Sequence, residues 1–255
     1  MTNIKVGDIV SRSSYNNDIL FYVESINNNT WIAILKGVTI RIEADSPIDD
    51  LALASESRIH QSMDYINEKI NYNDVKRLSR YGKILHLDGD RKYSEKTEKY
   101  YRKRGLNYVV KYVAEHKQPI IIKSLLAAYR PDILVITGHD GMIKKGKNFN
   151  DIENYRNSKY FYKTVAEARS LNPNRNDLVI FAGACQSYYE ALISAGANFA
   201  SSPARILIDF VDPLIVAEKI STTNNNKVVL MSDLEPKIRN GRKAVGGIGA
   251  KGKSL

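Results

Sequence analysis

Nearly continuous apolar runs alternate with amphipathic segments over residues 82–235 of the chain. The runs are KILHLDG, LNYVVKYV, PDILVITG and DLVIFAG, and the amphipathic segments lie near residues 93–104, 118–129 and 158–171. Apolar runs of this kind are typical of strands buried on both faces, and the intervening segments have the period of helices. The alternation predicts an α/β domain with three layers, a parallel sheet covered by helices on both faces.

The amino-terminal part has a different pattern. Residues 1–46 contain the short β-branched and aromatic runs DILFYVESI and WIAILKGVTIRI, with the turn formers SYNND and INNNT beside them. This pattern predicts a small antiparallel barrel, and the opening VGDIVSR resembles SH3-like and KOW modules, which bind protein or RNA. Residues 47–81 are predicted to form a helical connector, and residues 236–255, rich in glycine and lysine, a flexible or processed tail.

Composition narrows the protein class. The chain has 255 residues, of which 43% are hydrophobic, enough for a substantial core. It has no secretory signal and no apolar run of about 18 residues, so we expect an intracellular protein without membrane insertion. The net charge of +10 is spread through segments where basic and acidic residues alternate, which favours a solvated surface over a nucleic-acid-binding patch. The single cysteine, Cys185, excludes an internal disulfide and a sulfur-based zinc site.

Two of the predicted strands end in residues that can carry chemistry. TGHDG presents His139 and AGACQS presents Cys185, and the glycines Gly138 and Gly183 suit sharp bends there. Functional groups gather beyond the carboxyl ends of parallel strands, and neighbouring strands lie about 5 Å apart. If these two strands are neighbours, the imidazole and the thiol can share one substrate.

The segment after Cys185, QSYYEALISAG, predicts a helix that starts directly after the sulfur. The positive end of that helix and a nearby imidazolium would lower the pKa of the thiol. The backbone amides of Asp140, Gly141 and Cys185 are candidate donors to an oxyanion. Together these groups predict acyl transfer by a cysteine nucleophile.

A lone cysteine is usually buried and contributes only to packing. Pairing with a histidine at an equivalent strand end favours catalysis for Cys185. The other histidines lack such a place, since His60 lies on the connector, His86 inside a strand and His116 in a polar turn. A glutamine amidotransferase has a G-x-C-x-G elbow followed by its histidine, whereas here Ser187 replaces the second glycine and the histidine comes first.

The blocks ILVITGHDG and LVIFAGAC resemble the caspase-like, clan CD cysteine peptidases, in which the catalytic histidine precedes the cysteine by roughly fifty residues. Here the separation is 46 residues, and Asp140 departs from the His-Gly element by standing between His139 and Gly141. The wider set of strings HLDGD, RPDILVITGHD, YRNSKYF, LVIFAGACQS, AGANFASSP and GGIGAKG resembles the YabG family of sporulation-specific proteases over nearly the whole chain.

That resemblance implies a cysteine endopeptidase that works without a cofactor in the mother cell, in its cytoplasm or at the forming spore coat. It also implies that spore coat and germination proteins are the substrates, cleaved after arginine. His139 and Cys185 match the family's proposed catalytic pair, in which the cysteine attacks the scissile carbonyl and the histidine protonates the leaving amine.

Selectivity for arginine requires a carboxylate in the pocket that holds the side chain preceding the scissile bond, the P1 pocket. Asp88 and Asp90 follow the first strand, which would lie beside the strand of His139 if the sheet order reverses between strands one and three. They are the first candidates, and Asp209 and Asp212 are weaker ones on the opposite wall.

Two further hypotheses concern the tail and the overall role. Gly247–Ser254, GIGAKGKS, satisfies the P-loop pattern, but the match leaves no room for the helix that a P-loop requires, so we expect no nucleotide. Arg239 and Arg242 are candidate self-cleavage sites. The alternative function is a non-enzymatic, flavodoxin-like scaffold whose barrel binds spore proteins or nucleic acid.

Overall fold

The amino-terminal sheet has five antiparallel strands in the order β4-β3-β2-β1-β5. The computed structural model describes residues 4–70, 80–143 and 148–255. The strands are β1 (Ile9–Arg12), β2 (Phe21–Asn27), β3 (Ile32–Gly37), β4 (Glu43–Pro47) and β5 (Leu51–Leu53). Alternate residues of β2 and β3 are buried, as the period of a strand with one covered face requires.

This sheet extends beyond the predicted boundary at residue 46. Strand β4 ends at Pro47, and β5 pairs with β1 with Val10 opposite Leu53, so the start of the predicted connector belongs to the sheet. Helix α1 (Glu56–Ile70) forms the helical part of the connector. Residues 71–79, also predicted as connector, lie outside the described residues.

The central sheet has six strands in the order β12-β10-β9-β8-β6-β7. They are β6 (Ile84–Asp88), β7 (Tyr108–Tyr112), β8 (Ile133–Thr137), β9 (Val179–Ala182), β10 (Phe199–Ser201) and β12 (Val245–Gly247). The first five strands run parallel, and β12 adds an antiparallel edge. The predicted α/β architecture with a parallel-rich sheet is confirmed, and the sheet order reverses between β6 and β8.

Helices cover both faces of this sheet. They are α2 (Arg91–Lys103), α3 (Gln118–Tyr129), α4 (Ser158–Leu171), α5 (Tyr189–Ala195), α6 (Asp212–Thr222) and α7 (Met231–Leu234). On one face, apolar residues of α3, α4 and α5 pack on Leu85 and Leu134. On the other face, α2 and α6 pack on Ile84 and Val135, and this core continues into the amino-terminal sheet. The two sheets therefore share one hydrophobic core.

The predicted flexible tail is an ordered part of the fold. Strand β12 pairs with β10, and β13 (Ala250–Lys251) pairs with β11 (Val228–Val229). A Cβ atom at Gly247 would lie 2.3 Å from the ring of Phe199, so glycine there permits close packing rather than flexibility. The P-loop match falls on these antiparallel strands and not between a strand and a helix.

Within the described ranges, no helix combines the length and the apolar character needed to cross a membrane.

Candidate active site

Three neighbouring strands deliver the candidate residues to one edge of the central sheet. Strand β8 pairs with β6 on one side, with Asp88 opposite Thr137, and with β9 on the other, with Ile136 opposite Ala182. The loops after these strands carry His139 and Cys185. The strands that precede the histidine and the cysteine are therefore neighbours, which is the condition under which both side chains can reach one substrate.

Cys185 is fully buried and held by backbone groups. Its Sγ accepts a hydrogen bond from the amide of Ile208 at 3.2 Å and donates to the carbonyl oxygen of the same residue at 3.6 Å. Burial raises the pKa of the Cys185 thiol to about 12, so the thiol is neutral at physiological pH in this arrangement.

The prediction of a helix directly after Cys185 is wrong. Helix α5 begins only at Tyr189, because Gln186 adopts a left-handed conformation with φ of 56° and residues 183–188 form a turn. The turn is fixed by Ser187, whose Oγ accepts from the amide of Ala184 at 2.9 Å. A helix end therefore does not lower the pKa of the thiol.

His139 is fully buried, and neither of its ring nitrogens has a hydrogen-bond partner among the described residues. The ring packs edge-on against Tyr93, with 5.2 Å between the centroids, and Nδ1 lies 3.8 Å from the Asp90 carboxylate. Burial lowers the pKa of His139 to about 4. The imidazole is thus neutral, and its nitrogens are free to accept or donate a proton.

The side chain of Asp88 binds an arginine from the amino-terminal sheet. Its Oδ2 accepts a hydrogen bond from Nη1 of Arg41 at 2.6 Å, and both side chains are completely buried. Burial alone would raise the pKa of Asp88, but the charge of Arg41 and the neighbouring His86 hold it well below its usual range. The guanidinium also lies over the ring of Tyr93, with Cζ 4.6 Å from the centroid, which is a cation–π arrangement.

The other three predicted pocket carboxylates do not bind this guanidinium. Asp90 caps α2 by accepting from the amide of Tyr93 at 3.0 Å, and it faces His139 instead. Asp212 accepts from the amide of Asp209 at 3.0 Å, and Asp209 accepts from the hydroxyl of Tyr65. Of these four carboxylates, Asp88 is the one that pairs with Arg41.

Two of the three predicted oxyanion donors converge on one atom. The amides of Asp140 and Cys185 both donate to the carbonyl oxygen of Arg41, each at 3.2 Å. The amide of Gly141 instead donates to the side chain of Asp140 at 2.9 Å. A pair of backbone amides aimed at one carbonyl oxygen is the arrangement of an oxyanion hole.

The carboxylate of Asp140 joins the loops around the site. It accepts from the hydroxyls of Ser187 and Ser158 and from the amide of Asn157. Because these residues belong to the loop after β9 and the start of α4, the carboxylate holds the His139 loop against the Cys185 loop. These hydrogen bonds explain why the residue between His139 and Gly141 is an aspartate.

Sequence reasoning missed Glu115, a buried carboxyl that positions the His139 backbone. Its Oε1 accepts from the amide of His139 at 2.9 Å, and burial raises the pKa of Glu115 to about 7. A Cβ atom at Gly138 or Gly89 would lie 2.3 Å or 2.0 Å from the same oxygen. Gly138 therefore makes room for Glu115 rather than for a bend, and the two glycines were the available sequence signal.

Among the described residues, no group of three or more histidine, cysteine, aspartate or glutamate side chains is placed to hold a metal ion.

Comparison with known proteins identifies the family. A family model described as YabG peptidase U57 matches residues 5–79 and 67–255. The chain is 39% identical over 276 residues to the sporulation-specific protease YabG of Bacillus subtilis (strain 168), in an alignment that covers 97% of this chain and 95% of the relative. No solved structure matches the chain. The resemblance inferred from the sequence is thus confirmed, and the chain belongs to the YabG peptidase family, U57.

Proposed function

We propose that this chain is a cysteine endopeptidase of sporulation that cleaves after arginine, with Cys185 as nucleophile and His139 as general acid and base. One observation supports it above all: an arginine side chain lies between Asp88 and Tyr93 while its carbonyl oxygen meets the amides of Asp140 and Cys185. In the proposed site, the P1 arginine of a bound substrate would occupy the same positions.

In the opened cleft, where water reaches both groups and the effect of burial on their pKa values is relieved, the reaction begins with transfer of the Cys185 proton to the neutral imidazole of His139. The sulfur then adds to the scissile carbonyl carbon, and the amides of Asp140 and Cys185 stabilise the resulting oxyanion. His139 returns the proton to the leaving amine as the C–N bond breaks, which leaves a thioester. A water molecule gives one proton to His139 while its oxygen adds to the thioester carbon. The C–S bond then breaks, His139 returns the proton to the sulfur, and the new carboxyl end is released with the thiol restored.

The P1 pocket favours arginine over lysine for two reasons. The guanidinium binds one oxygen of the Asp88 carboxylate, which stays ionised because its pKa is held low, and it lies over the ring of Tyr93. A lysine ammonium is more strongly hydrated than a guanidinium, so it loses more on burial.

His139 and Cys185 lie in the loops after β8 and β9, and these two strands pair in parallel. This pairing supports a caspase-like arrangement of the peptidase domain. The five-stranded amino-terminal sheet supports an SH3-like module that docks on it. The name of the relative supports a protease that acts in sporulation. Spore coat and germination proteins in the mother cell, which the resemblance to the family implies, are the proposed substrates and setting. Self-cleavage after Arg239 or Arg242 stays a prediction.

Cleavage of a fluorogenic arginyl peptide tests the proposal. Because Arg41 occupies the pocket, each protein is assayed with and without Arg41→Ala. We expect Cys185→Ala and His139→Ala to lose about 10³-fold or more in kcat/KM, and His60→Ala, at an exposed position of α1, to keep its activity. Full activity in either of the first two variants, or no cleavage by a folded Arg41→Ala protein, would reject the proposed dyad and favour the scaffold function.

A further inference from the structure

The connection between β3 and β4 lies in the candidate cleft, where helix α2 holds its backbone. The hydroxyl of Tyr93 lies 3.1 Å from the carbonyl oxygens of both Gly37 and Ile40 and donates to them. The ammonium of Lys96 donates to the carbonyl oxygen of Val38 at 3.1 Å. Three carbonyl groups at the end of β3 and in the connection after it are thus bound by two side chains of α2.

Backbone pairing continues on both sides of Arg41. Ile40 forms an antiparallel bridge with Asp209, and Ile42 forms a parallel bridge with Asp140. The amide of Glu43 donates to the carbonyl oxygen of Asp140 at 2.8 Å. The segment is therefore bound as an added strand, the mode in which backbone hydrogen bonds give affinity and side-chain pockets give selectivity.

Arg41 stands at the centre of this added strand and fills the pocket completely. Its side chain has no exposed surface, its guanidinium binds Asp88, and its carbonyl oxygen takes both amides of the oxyanion hole. Because the side chain and the carbonyl oxygen of Arg41 occupy these positions, a substrate has no access to the P1 pocket or to the oxyanion hole.

We infer that the segment Thr39–Glu43 is a built-in substrate mimic, with Arg41 as its P1 residue, that keeps the intact peptidase closed until the segment leaves the cleft. This inference rests on the proposed function of the site. Because residues on both sides of Arg41 are bound through the backbone, the cleft fits a peptide segment in an extended conformation.

The sulfur is arranged for a closed state rather than for attack on the mimic. The backbone of Ile208 forms two hydrogen bonds with the sulfur, at 3.2 and 3.6 Å, and the backbone of Arg41 also interacts with it. The mimic belongs to the same chain and is tied into β3 and β4, so it cannot leave by simple dissociation. Opening must therefore move the connection, or the whole sheet, away from α2.

The rate at which an arginyl chloromethyl ketone alkylates Cys185 measures how open the cleft is, and intact mass spectrometry reports the label. We expect Arg41→Ala to react at least about tenfold faster than the wild type. Arg12→Ala is the matched control, because that arginine lies in the same sheet with its guanidinium over Tyr15, at 3.9 Å from the ring centroid. This control should react at the wild-type rate.

A second variant keeps the test decisive if Arg41→Ala does not fold. Lys96→Met removes the hydrogen bond to Val38 and leaves Asp88, His139 and Cys185 in place, so it should also raise the labelling rate. Equal rates in the wild type and in both folded variants would overturn the mimic but leave the proposed function standing. Failure of Cys185 to react in any folded protein would overturn both.

The same spectra show whether the segment behaves as an inhibitor or as a substrate. The inference expects an intact bond between Arg41 and Ile42 in the purified wild type. A fragment beginning at Ile42 that is absent from Cys185→Ala would overturn it, because the segment would then be a substrate and not a block.

Discussion

The backbone amide of Cys185 donates a hydrogen bond to the carbonyl oxygen of Arg41 at 3.2 Å. The two residues lie far apart in sequence, one in the connection between β3 and β4 and the other in the loop after β9. A cysteine peptidase must offer this amide to the carbonyl group of its substrate. The groups around Arg41 are therefore the ones through which selectivity, stability and pH response can be tested.

Asp88→Asn should destabilise the intact protein. The substitution leaves the fully buried guanidinium of Arg41 without its charge partner, and breaking a buried ion pair costs about 3–5 kcal/mol. Urea unfolding measures the loss. The double variant Arg41→Met/Asp88→Asn should lose less than Asp88→Asn alone, because no unpaired charge remains buried.

Asp45→Asn is the matched control for this measurement. Asp45 binds Arg156, but its side chain is 53% exposed, and exposed pairs contribute about 0–1 kcal/mol. A loss below about 1 kcal/mol for Asp88→Asn as well would contradict the buried pair.

Tyr93→Leu should reduce the preference for arginine. Without the ring, the guanidinium loses a cation–π contact worth about 1–2 kcal/mol, whereas a lysyl substrate has less to lose. In the Arg41→Ala background, the ratio of kcat/KM for arginyl and lysyl peptides should fall about tenfold. Tyr93→Phe keeps the ring and should keep the ratio; a fall as large as that of Tyr93→Leu would assign the selectivity to the hydroxyl.

The strands that lead to the candidate residues could be predicted from the sequence because their signal is local. Every residue of β6, β8 and β9 is buried, so each strand appears as a continuous apolar run that ends in a glycine and a polar residue. The carboxyl-end rule for parallel sheets then placed Asp88 and His139 at one edge. The polar side chains of Asp88 and His139 could be recognised as candidates because each directly follows such an apolar run.

The contacts that close the site could not be predicted in this way. Arg41 lies 47 residues before Asp88, in a segment whose apolar pattern indicates only a strand. Its role depends on how one sheet packs on another, which no local pattern records. The helix predicted after Cys185 was wrong for a related reason, since the left-handed Gln186 is stabilised by hydrogen bonds to Ile206 and Ser202, residues distant in sequence.

His139 should stay uncharged in the intact protein through the physiological pH range. Burial lowers the pKa of His139 to about 4, and the positive charges of Lys36 and Arg41 act in the same direction. Arg41→Ala admits water and removes one of these charges, so the pKa should rise towards its ordinary value of 6.5. Imidazole nitrogen shifts measured by NMR against pH report both values. A wild-type ring that titrates above pH 6 would contradict the burial seen here.

Glu115→Gln should stabilise the protein relative to the wild type as the pH rises. Burial raises the pKa of Glu115 from 4.5 to about 7, so the folded state holds a proton that the unfolded state releases between these values. Stability from this group is complete below about pH 4.5 and is lost as the pH rises to about 7. A glutamine can still accept a hydrogen bond from the His139 amide but never ionises. The free energy of unfolding of Glu115→Gln relative to the wild type should therefore increase between about pH 4.5 and pH 7, by up to about 3 kcal/mol.

Urea unfolding of both proteins at intervals from pH 4 to pH 8 measures this difference directly. Ser124→Ala, a substitution of a group on α3 that does not titrate in this range, controls for effects of pH on the measurement itself. The difference between Glu115→Gln and the wild type should rise and then become constant near neutral pH. A difference that falls with pH would mean that the carboxylate is stabilised in its ionised form. The charge of Lys36, which lowers the pKa of Glu115, would then outweigh the effect of burial.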